Sequence, residues 1–103
     1  MLHNMRDHLQ ALHEILEALG RDKSDEAAKT AEARLGMSSM ALHGADKAAP
    51  YMPPAMRQTG MGMHHAASRF ALAVEEEDPQ KSFEALSKVT ASCIACHAQF
   101  KLR

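Results

Sequence analysis

The chain has 103 residues, a formal net charge of −1, three phenylalanines, one tyrosine and no tryptophan. That length suits a single small domain with one core, and the near-neutral balance gives no footprint for nucleic acid or an anionic membrane surface. No apolar run approaches the roughly 20 residues of a membrane-spanning helix, and the two cysteines are too few for a disulfide framework.

The first helix is expected from about Leu2 to Leu19. Leu2, Met5, Leu9, Leu12, Leu16 and Leu19 step by three and four and mark its apolar stripe. Gly20 suits the left-handed position that ends a helix. The second helix is expected from Ser24, which can cap, with Asp25 and Glu26 favouring the positive dipole end. Ala28, Ala31, Leu35 and Leu42 mark its inner face, Gly36 weakens it, and His43-Gly44 ends it.

Residues 45–54 form the long connection, where Pro50, Pro53 and Pro54 forbid a continuous helix. The third helix is expected from Pro54 or Ala55 to Glu77, with Met56, Gly60, Met63, Ala67, Phe70 and Val74 inward. Gly60 and Gly62 weaken its first half or let something bulky approach the backbone. Asp78-Pro79, a capping aspartate before proline, opens the fourth helix. Phe83, Leu86, Thr90, Cys93, His97 and Phe100 share one face of it. Four helices without a strand pattern predict an all-α, antiparallel four-helix bundle spanning residues 1–103.

The chemistry lies in Cys93-Ile94-Ala95-Cys96-His97. C-x-x-C-H is the attachment signature of a c-type haem. Two thiols three positions apart on a helix can each form a thioether to a porphyrin vinyl group. The histidine, four after the first cysteine, shares its face and can reach the iron as proximal ligand. A thioredoxin-like pair would sit at a helix start within a βαβ pattern, and a structural zinc site would need two further ligands. A plain disulfide would leave His97 a coincidence.

A four-helix pattern with C-x-x-C-H on the last helix resembles the class II c-type cytochromes, the cytochrome c′ family. His97-Ala98-Gln99-Phe100-Lys101 is similar to the family's continuation after the histidine, with an aromatic and then a basic residue. The likeness is specific for residues 93–101 and looser for the first helix, which in the family supplies the distal side of the haem. Asn4-Met5-Arg6-Asp7-His8 resembles the methionine-ligated, low-spin branch, which implies Met5 as distal iron ligand. Met1 and His8 are the alternatives on that helix, and Met52 and Met63 are outsiders.

What the resemblance implies is a periplasmic monohaem c-type cytochrome, with one covalent haem c per chain. It would carry single electrons to or from a periplasmic redox protein, reductase or oxidase. Nothing resembles a catalytic constellation, so no enzyme is expected. Haem is attached outside the bacterial cytoplasm, so an export signal is expected to have preceded Met1. Lys101 and Arg69 are candidates to pair with haem propionates.

Relatives often pair through their first two helices, and the alanine-rich second helix suits either a homodimer or a monomer. Two alternatives remain. One is a five-coordinate haem protein binding small gases, with Met5 only lining the pocket. The other is a haem-free copper-binding bundle using Met61, Met63, His64 and His65. The acidic run Glu75-Glu76-Glu77-Asp78 reads as a solvated turn that caps the last helix.

Overall fold

The structure, a computed structural model, describes residues 2–40 and 51–99, with side chains from Met5 to Met40 and from Tyr51 to Ala98. The described residues form four α-helices and no strand: α1 (Leu2–Gly20), α2 (Ser24–Arg34), α3 (Pro54–Val74) and α4 (Pro79–Gln99), with a 3₁₀ turn at Met37–Ser39. Short links join α1 to α2 and α3 to α4, so each pair is an antiparallel hairpin.

Helix ends depart from expectation in instructive ways. Gly20 is still helical. The left-handed residue is Asp22, with φ of 60°. Lys23 N–H donates to the Ala18 carbonyl at 2.8 Å and Asp22 N–H to the Leu19 carbonyl at 3.1 Å, so a Schellman arrangement closes α1. Lys23, not Ser24, precedes α2, and no side chain caps it.

The second helix stops at Arg34, well before His43-Gly44, which lie outside the described residues together with Leu42. Gly36 is therefore not an interior helical glycine. It is a buried, extended residue after α2, and a β-carbon there would come within 2.6 Å of Glu32 Oε2 and 2.8 Å of Ser68 Oγ. The chain turns there because α3 passes too close for a side chain. The third helix ends at Val74, three residues before the expected Glu77, which has φ of 57° in the following turn. Asp78 opens α4 as expected: its Oδ1 accepts from Gln80 N–H at 3.0 Å.

The core is made of Ala11, Ile15 and Ala18 of α1, Ala27 and Ala31 of α2, and Met63, Ala67, Phe70 and Val74 of α3, closed by Leu86 and Val89 of α4. The α3 stripe lies where the spacing placed it. The α1 stripe is rotated: Leu12 and Leu19 pack against the core, but Leu9 (68 %) and Leu16 (47 %) are exposed. On α4, Phe83 is 56 % exposed, and the inward line runs Ser82, Leu86, Val89, Cys93. Alanines bring α1 and α2 close, which lets a chain with few large side chains bury a continuous interior.

α1 packs on α2, α2 on α3 and α3 on α4, but α1 and α4 form no comparable pair among the described residues. Among the described residues the bundle is open along one side.

Candidate functional site

The open side is a cavity of about 770 Å³. Its α1 wall carries Met5, Arg6, His8, Leu9 and Leu12; its α4 wall carries Val89, Ser92, Cys93, Ile94, Cys96, His97 and Ala98. Thr59, Gly60 and Met63 of α3 and Leu35, beyond α2, complete the lining. The start of α1 thus faces the end of α4, as antiparallel packing requires.

The motif occupies three successive exposures on α4. Cys93 packs against the core, Cys96 is half-buried and His97 is exposed. All three border the cavity, because positions i, i+3 and i+4 fall on one side of a helix. Both cysteines are free thiols. Burial pushes the Cys93 thiol above its usual range, and neighbouring Cys96 adds to the effect; burial alone raises Cys96. A dithiol redox centre needs the reverse, a thiol lowered by positive surroundings.

Across the gap, Met5 is half-buried and borders the same space, and His8 does so one turn further on. Met63, expected to face inward but to be an outsider as a ligand, is buried and lines the cavity from α3, whereas Met52 is not among its lining residues. Met1, Phe100 and Lys101 lie outside the described residues. Arg69 is not at this site: it lines a separate groove between α3 and α4 with Leu72, Glu76 and Lys88. The guanidinium that does border the cavity is Arg6. Its place next to Met5 in the sequence is the signal for it, which apolar spacing alone does not carry.

His64 serves a different end. It is buried, and its Nδ1–H donates to the Leu35 carbonyl at 2.6 Å, satisfying a carbonyl at the end of α2 that helix geometry leaves open. Its ring meets His8 edge to face, with centroids 6.0 Å apart. Of the residues of the copper alternative, Met61 and His65 are exposed, and Met63 and His64 are buried.

The walls are apolar, with Leu12, Leu35, Met63 and Val89 at the base. Leu9 and Ile94, 68 % and 69 % exposed, stand at its rim. Large apolar side chains left in water beside a cleft mark a surface that a ligand covers. No protein-family model matches the chain, and neither a curated protein nor a solved structure matches it.

Proposed function

We propose that this chain is a periplasmic monohaem c-type cytochrome that carries single electrons between redox partners. One observation carries the reading: all three functional residues of C-x-x-C-H and the sulfur-bearing Met5 border one apolar cavity, between the first and last helices, α1 and α4, which form no close pair among the described residues. The donor set fits an iron porphyrin, which when bound supplies reversible one-electron chemistry at iron.

The chain's own residues then have distinct tasks. Cys93 and Cys96 hold the macrocycle to α4 through thioethers. His97 offers its imidazole on the α4 side. Met5 offers a soft thioether from α1, a donor that sets a higher potential than a second imidazole. Leu12, Leu35, Met63 and Val89 keep water from the interior side, which steadies ligation and potential. Arg6 provides positive charge for the propionates. A protein whose thiols are joined to haem is matured outside the cytoplasm, and no described helix is long and apolar enough to cross a membrane.

The test is spectroscopic. Protein expressed with haem-maturation machinery is expected to retain a haem stain on a denaturing gel and to show sharp, split low-spin bands on reduction. Met5→Ala is expected to become high-spin and to gain carbon monoxide binding in the reduced state. An unchanged spectrum in that variant removes Met5 as ligand. High-spin bands in the wild type shift the function to gas binding.

A further inference from the structure

We propose that Gly60 is the place where the macrocycle lies against the backbone of α3, an inference that rests on the haem reading above. The porphyrin is tied to α4 by Cys93 and Cys96 and meets Met5 on α1, so its third boundary is α3. On that boundary Gly60 is the residue without a side chain. A β-carbon built on Gly60 would meet no atom within 4 Å. Its backbone is ordinary right-handed helix, so neither conformation nor a crowding neighbour calls for glycine here. In a helix interior glycine lowers the folded-to-unfolded ratio about four- to fivefold relative to alanine.

The contrast with Gly36 is direct, because there the protein itself fills the space, through Glu32 and Ser68. At Gly60 the space is the cavity. The neighbouring Thr59 turns its hydroxyl back to the Ala55 carbonyl at 2.9 Å, leaving the α3 wall without an unbonded hydroxyl at this level. A flat ring gains most from a wall it can approach closely, since dispersion falls off within an ångström of separation. Gly62 is the internal control. A β-carbon there also meets nothing within 4 Å, but Gly62 does not line the cavity.

The experiment compares haem-loaded wild type with Gly60→Ala, Gly62→Ala, Gly60→Leu and Gly62→Leu, reading covalent haem content, visible spectrum and urea unfolding. Gly62→Ala is expected to raise the folded-to-unfolded ratio about four- to fivefold with an unchanged spectrum. Gly60→Ala is expected to lack that gain and to shift the main haem band, and Gly60→Leu to carry severalfold less haem than Gly62→Leu. Gly60 variants that match their Gly62 counterparts in all three readouts overturn the proposal. A wild type that carries no covalent haem overturns the functional reading itself, and that outcome is visible before any variant is made.

Discussion

Arg34 at the end of α2 grips α1 at two levels. Its Nη2 donates to Asp7 Oδ1 at 2.8 Å, and its Nη1 donates to Glu14. Asp7 lies two residues beyond Met5, and among the described residues α1 has no close packing on α4, so this clamp from α2 helps to hold that end of α1 in place. Arg34→Met is expected to cost on the order of 1 kcal/mol in urea unfolding, the scale of a partly exposed charged pair. In the haem-loaded protein it is also expected to weaken the long-wavelength band of methionine-bound ferric iron. A variant that loses stability but keeps that band at full strength would separate the clamp from Met5 positioning.

Acid should loosen the same region. Glu32 accepts from Ser68 Oγ at 2.7 Å and from Ser38 N–H at 3.1 Å, tying the 3₁₀ turn to α3. The Ser68 hydroxyl is the largest of the influences that hold its carboxyl below the usual glutamate value of about 4.5. A folded-state value below the unfolded one means stability that is present above about pH 4.5 and is lost as pH falls through the lowered value. Wild type is therefore expected to lose its advantage over Glu32→Gln progressively as pH falls below about 4.5. Equal pH slopes for the two proteins would show that Glu32 contributes no such linkage. Glu14, lowered chiefly by its hydrogen bond with Arg34, acts in the same direction.

Gly36→Ala is expected to destabilise by about 1–3 kcal/mol, as overpacking does. Its backbone, at φ −73° and ψ −175°, is open to alanine, so the cost comes from contact and not from conformation. The β-carbon would displace Glu32 and Ser68, the two groups that anchor the turn. Calorimetry of Gly36→Ala with Ser68→Ala as the second arm of a double-mutant cycle checks this. Fully additive effects would mean that the two positions do not share one network.

Glu77→Gly is expected to stabilise by about 0.5–1 kcal/mol, because a glycine relieves the strain of a β-carbon at positive φ. In a domain of this size that is a rise of several degrees in Tm. Gly20→Ala is expected to be neutral or stabilising, since the left-handed position that ends α1 is Asp22. A large loss in Gly20→Ala would restore Gly20 as the terminating residue.

Local chemistry made much of this protein legible without a structure. Asp78-Pro79 opens α4 because capping and a proline's fixed φ act within one turn. The α3 stripe follows from spacing, and C-x-x-C-H places its three side chains on one side of whatever helix carries it. What spacing does not decide is which of two overlapping stripes a helix buries. Leu9, Leu16 and Phe83 fit the helical period and yet lie in water, while Ala11, Ile15 and Val89 are buried. The inward side is chosen by closeness of approach, and alanines let α1 and α2 meet where leucines would hold them apart. The early end of α2 is likewise tertiary: Gly36 turns the chain because α3 lies against it. So is the gap between α1 and α4. No residue encodes it alone, because it is the space left when three helix pairs pack and the fourth does not.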